Sequence, residues 1–279
     1  MPESARLTVA GAVVARLQDG ADVEPALGPR PYLHPVTTLG GVTVTDAFPD
    51  DHRWHLGVSV AMQDVSGTNL WGGRTYVRDQ GYTWLDDHGR IVDARLSPTA
   101  ASDALAETLH WLAPDGTLLV TEDRTLAARP LDTRAWSLEV AYTLTAPPDR
   151  DITLGSPATN GRPDAAGYGG FFWRCAPGPA DVFDATGARG ESTVNGGTAP
   201  WLAFTAAGHT LIFSGLGDGD HWFARTGIYP GVCVALAWEK PLLIPAGATI
   251  SRRHTVIVAD GTLTPSDVES LSPRFAAGA

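Results

Sequence analysis

Leu138, Val140, Tyr142 and Leu144 alternate with Ser137, Glu139, Ala141 and Thr143. This is the period-two signature of a strand buried on one face. Similar β-rich runs recur over residues 7–17, 55–65, 105–111, 117–126, 152–154, 170–175, 201–204, 209–214, 232–238 and 250–259. Turn dipeptides separate them, among them Asp19-Gly20, Gly40-Gly41, His88-Gly89, Gly196-Gly197 and Asp260-Gly261. Pro114-Asp115-Gly116 between two such runs predicts a hairpin. One stretch reads as helix: Thr264 as N-cap, Pro265 at the first position, Asp267 near the third, then Val268 and Leu271. No 20–50-residue repeat and no Ser/Gly linker divides the chain. The pattern predicts one all-β domain over residues 1–279, with its core at about 7–261 and residues 262–279 as a C-terminal appendage. A dozen or more strands exceed what one open twisted sheet carries. Two large stacked antiparallel sheets, a β-sandwich with a short C-terminal helix, are therefore expected. A propeller needs a repeated blade pattern, and none is present.

Composition sharpens this reading. Hydrophobic residues form 43 % of the 279 and charged residues 18 %, which excludes disorder. The formal charge of −11, with Lys240 the sole lysine, repels a phosphate backbone and argues against nucleic acid as a partner. Residues 1–4 open without a basic or apolar leader, and the apolar run Val232 to Trp238 is far shorter than the roughly 20 residues of a membrane span. A soluble, cytoplasmic protein with no membrane partner is expected. Cys175 and Cys233, both inside apolar strand-like runs, read as buried thiols of a reducing compartment. Sheet faces and edges offer surfaces for a homo-oligomer, but the sequence marks no interface.

The densest polar region spans residues 30–57: Arg30, Tyr32 and His34, then Asp46, Asp50, Asp51, His52, Arg53 and His55. Its prolines fix φ and remove donors, so this stretch is expected to be mostly ordered loop. Three readings fit it. A divalent metal at His34, His52 and His55, or with Asp51, uses ligand types suited to Zn, Cu or Fe. Histidines beside carboxylates serve equally well as proton-transfer groups. An Asp/His/Arg hydrogen-bond network that only stiffens the loop is the third.

Nine tryptophans exceed the needs of a core this size. Trp136 and Trp238 sit in plain strand patterns and read as core. Trp54, Trp71, Trp84, Trp173 and Trp222 flank turns or polar residues, and two or three rings are expected to face a cleft. Asn160-Gly161-Arg162-Pro163, Tyr168 in the glycine-rich run 167–170, and Arg174 at the end of the following aromatic strand form a third group of candidates. Asp220, His221, Trp222 and Arg225, followed by Tyr229, repeat the chemistry of the first cluster from a distant part of the chain. Glu239 is a candidate carboxylate partner. No nucleophile elbow, P-loop, zincin or Cys-x-x-Cys motif occurs.

The segments Arg30-Pro31-Tyr32-Leu33-His34-Pro35, Pro49-Asp50-Asp51-His52-Arg53-Trp54-His55-Leu56-Gly57, Trp71-Gly72 and Tyr168 to Arg174 resemble the family labelled PmoA, methane oxygenase, from about Leu7 to Gly261. That family's pattern after the acidic pair resembles His-x-His-His-x-Gly; this chain keeps His52, His55 and Gly57 but carries Trp54 and Leu56. Particulate methane monooxygenase is an integral membrane complex and this chain has no spanning segment, so the resemblance implies soluble proteins that accompany sugar-oxidoreductase genes rather than an oxygenase. Gly231-Val232-Cys233-Val234 followed by Ile244-Pro245-Ala246-Gly247 looks like the closing hairpin of galactose-mutarotase-like supersandwiches. That likeness implies a sugar site on a concave face with His and Glu as acid and base, but the usual glutamate falls at Ala235.

Together these features predict a carbohydrate-active enzyme of epimerase, mutarotase, lyase or hydrolase type, acting on a small-molecule sugar or oxidised sugar. His52, His55, His34 and Glu239 are the expected catalytic groups. Arg30, Tyr32, Asp51, Trp71, Tyr168, Arg174, Asp220, His221, Trp222, Arg225 and Tyr229 are the expected binding residues. No cofactor is assigned beyond the divalent-metal reading of the three histidines. A non-catalytic carbohydrate-binding module and a metal-dependent oxidoreductase are the alternatives.

Overall fold

The computed structural model describes residues 3–98, 103–163 and 165–271. Two antiparallel sheets dominate. The seven-stranded sheet runs, in spatial order, Glu3–Val9, Ala12–Gln18, Tyr32–Val36, Val58–Ala61, Gly170–Arg174, Gly231–Ala235 and His221–Arg225. The eight-stranded sheet runs Ala180–Asp184, Trp201–Ala206, His209–Ser214, Thr249–Asp260, Ala135–Thr145, Leu118–Pro130, Ala104–Leu112 and Arg90–Pro98. Short strands at Leu242–Ile244, Ile152–Gly155 and Asp64–Val65 form a third sheet, and Thr75–Val77 pairs with Gly81–Thr83.

The alternation along each strand decides what the two large sheets bury. Phe171, Trp173, Val232, Val234, Trp222 and Val58 point into a common core with Leu126, Val140, Phe213 and Val256 of the other sheet. Trp173 meets Phe213 across the interface, ring centroids 5.7 Å apart. Each such ring or branched side chain contributes about 1.5–3 kcal/mol by leaving water. The interleaved residues Phe172, Cys233, Ala235, Phe223 and Ala61 point to the opposite face of the seven-stranded sheet. There they form a second cluster with Trp71 and Tyr168. That outward face carries the site described below.

Local expectations largely materialise. The hairpin at Asp115-Gly116 joins Ala104–Leu112 to Leu118–Pro130, with Leu118 opposite Leu112; the Asp115 carboxylate accepts from Thr117 N–H at 2.8 Å. The helix Pro265–Leu271 has its capping box: Asp267 accepts from Thr264 N–H and O–H at 2.9 and 2.7 Å. Residues 272–279 of the expected appendage lie outside the described residues. Cys175 and Cys233 are buried and unpaired with each other.

Residues 30–57 are mostly loop, as expected; the one short strand among them, Tyr32–Val36, skips Pro35 in its pairing, at an irregularity between Ala15 and Leu17. Two expectations are corrected. Residues 7–17 are a hairpin whose turn, Ala10-Gly11, adopts φ of 48° and 83°, so the apolar run covers two strands. Gly231–Ala235 and the final strand Thr249–Asp260 belong to different sheets, so they do not form a closing hairpin. No helix among the described residues is long and apolar enough to cross a membrane.

Candidate functional site

A cleft of about 360 Å³ opens on the outward face of the seven-stranded sheet. One wall is the loop that enters the strand Val58–Ala61. Asp46 and Gly57 close this loop, with Gly57 N–H donating to Asp46 C=O at 3.0 Å. Within it, His52 N–H donates to Pro49 C=O and His55 N–H to His52 C=O, at 3.1 and 2.8 Å. These two consecutive turns present residues 52 and 55 on the same side, so their imidazoles stack at 4.7 Å with planes 15° apart.

The polar groups behind the rings form a chain. Asp51 Oδ2 accepts from His52 Nδ1 at 2.9 Å, and Arg174 donates both terminal nitrogens to the Asp51 carboxylate at 3.0 and 3.2 Å. The same guanidinium lies 3.3 Å from His55 Nδ1. Arg174 carries only N–H donors, so this contact assigns the acceptor role to Nδ1 and the hydrogen to Nε2 of His55. Burial, with the neighbouring His52, Arg174 and Arg30, pushes the His55 pKa well below the usual histidine value, which keeps it neutral. Partial burial opposes ionisation of Asp51, but hydrogen bonds from His52 and Arg174 and the latter's charge outweigh it and hold the carboxyl below its usual range. The His52 side chain remains 24 % exposed, and with Nδ1 engaged by Asp51 its Nε2 is the nitrogen left to face the cleft.

Aromatic rings complete the walls. Trp71 packs on Tyr168 and Phe172 at 5.0 and 4.9 Å. Its turn is held by Asn69, whose buried Oδ1 accepts from Trp71 and Gly72 N–H at 3.0 and 2.9 Å. The hairpin at 75–83 carries Tyr82 into the cleft. Tyr82 O–H meets Tyr168 O–H at 2.9 Å and is also bonded by Arg162. Burial raises the pKa of Tyr82 and, well above the ordinary value, that of Tyr168, so both stay protonated. Trp54 and Trp84 meet edge to face at 6.5 Å, and Trp84 and Ile228, 52 % and 73 % exposed, form the rim.

Of the residues singled out from sequence, His52, Trp54, His55, Trp71, Trp84, Arg162, Tyr168, Arg225 and Tyr229 line this cleft. Asp51 and Arg174 stand behind them. The others lie elsewhere. Arg30 is fully buried and donates to the carbonyls of Gly28, Trp71 and Trp54 and to Ser59 Oγ, at 2.8 to 3.1 Å; it ties the two cleft loops to the sheet. Tyr32 packs under Phe48 in a satellite core. His34 bonds Thr45 Oγ1 at 3.0 Å, outside the cleft, because its strand directs it beneath the loop. Asp220 is buried in a bidentate pair with Arg252 at 2.7 and 3.0 Å. His221 stacks on the half-buried Trp238 at 5.4 Å. Trp222 faces the inter-sheet core and donates to Ala199 C=O at 2.7 Å. Glu239 is exposed beyond the strand end.

Reasoning from the sequence missed Arg74, Tyr82, Phe223 and Ile228 as lining residues. Phe223 and Arg225 share the period-two face opposite Trp222, a signal available in the sequence once the core side was known. With His34 apart, the three histidines do not converge. Among the described residues no three His, Cys, Asp or Glu side chains are grouped to hold a metal ion, so the donor set does not fit the divalent-metal reading. A larger open groove of about 640 Å³ lies on the eight-stranded sheet. Arginines in it pair with carboxylates, Arg124 with Glu107 at 2.9 Å and Arg252 with Asp220 at 2.7 Å.

Among solved structures, the chain is similar to a putative aldose 1-epimerase from Escherichia coli K12 (9 % identity, TM-score 0.37, 90 % of this chain and 93 % of that one). It is also similar to the GH36 α-galactosidase AgaA of Geobacillus stearothermophilus (11 %, 0.31, 94 % and 39 %). A third is a mutant of the heparan sulfate lyase HepC of Pedobacter heparinus (11 %, 0.28, 63 %), of whose length this chain covers 23 %. No curated protein matches in sequence. None of these comparisons carries the PmoA label. The family profile that matches covers residues 4–272, and the chain therefore belongs to the DUF6807 family, a family of unknown function.

Proposed function

We propose that this protein is an enzyme that performs acid–base chemistry on a sugar or oxidised sugar, of epimerase, mutarotase, lyase or hydrolase type. The observation that carries the reading is the Asp51–His52 pair, 2.9 Å apart, at the mouth of a cleft walled by Trp54 and Trp84 above the buried Trp71. Flat indole faces suit the C–H face of a sugar ring, and an oriented imidazole with a free Nε2 suits proton transfer. Neutral His55 beneath it adds a polar ring without competing charge. Tyr82 and Tyr168, kept protonated, supply hydroxyls for sugar oxygens.

The test is product formation, followed by proton NMR, from a panel of aldoses, sugar acids, 3-keto sugars and disaccharides. His52→Ala should abolish turnover while leaving the melting temperature within a few degrees. Saturable binding without product in the wild type would replace the enzyme with a non-catalytic carbohydrate-binding module. A stability loss above roughly 3 kcal/mol in His52→Ala would mark the pair as structural.

A further inference from the structure

We infer that the ligand of this cleft is an anionic carbohydrate, a sugar carrying a carboxylate, sulfate or phosphate that meets Arg162 and Arg225 while the ring lies against the indole walls. The inference rests on the carbohydrate reading above and adds the charge to it.

The cleft holds cations in excess of carboxylates. The chain carries a net −11, yet among the described residues no Asp or Glu lines the cleft, whose lining includes Arg74, Arg162 and Arg225. Arg162 bonds the Tyr82 hydroxyl and lies over that ring, 4.9 Å from its centroid. Arg74 lies over Trp84 at 5.9 Å. Neither has a carboxylate partner among the described residues. Arg225 does have a carboxylate nearby, Glu191 Oε1 at 3.6 Å, whose other oxygen also accepts from Thr226 and Gly227 N–H at 2.6 and 2.9 Å, so one carboxylate stands against three guanidiniums. Behind the wall, buried Arg30 lies 5.9 Å from the Trp71 ring, and its bonds go to carbonyls and a hydroxyl. It touches no ligand, but its charge adds to the same potential.

Low-dielectric aromatic walls focus such a field into the cleft. A neutral sugar gains little from guanidiniums that it must help to desolvate, whereas an anion replaces their water with charge-assisted hydrogen bonds in the forked geometry arginine offers. The anion therefore supplies what the lining lacks.

Isothermal titration of the full-length protein with matched sets tests this: hexoses, the corresponding uronic and aldonic acids, 6-sulfates and 6-phosphates, with benzoate and inorganic phosphate as non-sugar anions. At least one anionic sugar should bind roughly tenfold or more tighter than its neutral parent, a preference that shrinks with added salt. Arg162→Gln and Arg225→Gln should each erase most of that preference while leaving the melting temperature unchanged. Carboxylate, sulfate and phosphate members of the set identify which anion is read. A neutral hexose binding as tightly as its acids, indifferent to both substitutions, would overturn the charge inference and leave the carbohydrate reading standing. Arginine-dependent binding of benzoate or phosphate with no sugar bound would overturn the carbohydrate reading, and the inference with it. Silence across the panel would overturn both.

Discussion

His52 lies parallel to His55, ring centroids 4.7 Å apart and planes 15° apart. Two stacked imidazoles disfavour double protonation, because like charges at this distance repel strongly in a buried setting. Arg174 settles which one stays neutral. It donates toward His55 Nδ1 while its charge, together with burial, disfavours the imidazolium there. His52 has the opposite environment, with Asp51 on its Nδ1. The pair therefore divides into a neutral ring at the floor of the cleft and a ring oriented by Asp51.

Asp51→Asn removes the carboxylate that orients His52 and pairs with Arg174. Turnover should fall by roughly 100-fold or more with KM little changed. Steady-state kinetics on the substrate identified by the panel provide the check. An unchanged kcat would show that His52 needs no orienting partner.

Arg30 makes four hydrogen bonds from a site with 0 % exposure. Burial draws its pKa down to about 9, which still leaves it charged at neutral pH. Arg30→Met should cost about 3–5 kcal/mol by leaving three buried carbonyls with fewer donors. Arg30→Lys should rescue only partly, since an ammonium cannot match the planar fork. Urea unfolding measures both, and a loss under 1 kcal/mol for Arg30→Met would remove its role as the tie between the two loops.

Gly57 has φ of 44°, and a Cβ there would fall 2.1 Å from Leu33 C=O. Gly11, at φ of 83°, has open space around the same position. Gly11→Ala should cost about 1 kcal/mol, the left-handed penalty alone. Gly57→Ala should cost several times more and displace the His52 loop with it. Equal melting temperatures for the two variants would refute the close-approach argument.

His254 is buried between the sheets, donating Nδ1–H to Gly215 C=O at 2.8 Å and accepting from Tyr142 O–H at 3.3 Å. Burial lowers its pKa to about 4, against the opposing pull of the Gly215 carbonyl and Asp220. Because the folded value lies below the unfolded one, the unfolded chain binds the proton first. Stability is complete above about pH 6.5 and is lost as pH falls toward 4, by on the order of 3 kcal/mol from this residue. His55, lowered in the same direction, adds to the loss. Denaturant unfolding between pH 7 and 4 should show a shallower slope for His254→Gln than for the wild type, and parallel curves would contradict the assignment.

The loop of residues 46–57 shows how far the sequence carries the site. Its Asp/His/Arg content marks it as chemical, and the i, i+3 spacing of His52 and His55 is enough to bring them together once two turns form. His34, only 18 residues earlier, offers the same imidazole and reads identically. The register of Tyr32–Val36 sends it to Thr45 instead. Asp220 and His221 likewise mimic the first cluster in composition, but Arg252, from a distant strand, claims the carboxylate.

The sequence by itself determined the all-β class, the hairpin at Asp115-Gly116 and the capped helix at Thr264, because these depend on contacts a few residues apart and on the period of two. It also singled out the segment around His52 and Trp54, which lines the cleft. Only the tertiary structure decided which face of each strand meets the core. That choice buries Trp222 and Trp173 between the sheets while the neighbouring Phe223, Arg225 and Phe172 meet Trp71 and Tyr168 on the other face. The two faces of such a strand are both apolar, so alternation separates the residues into two sets without saying which set faces inward. That decision belongs to packing between segments distant in sequence, as Trp173 with Phe213 and Trp71 with Phe172.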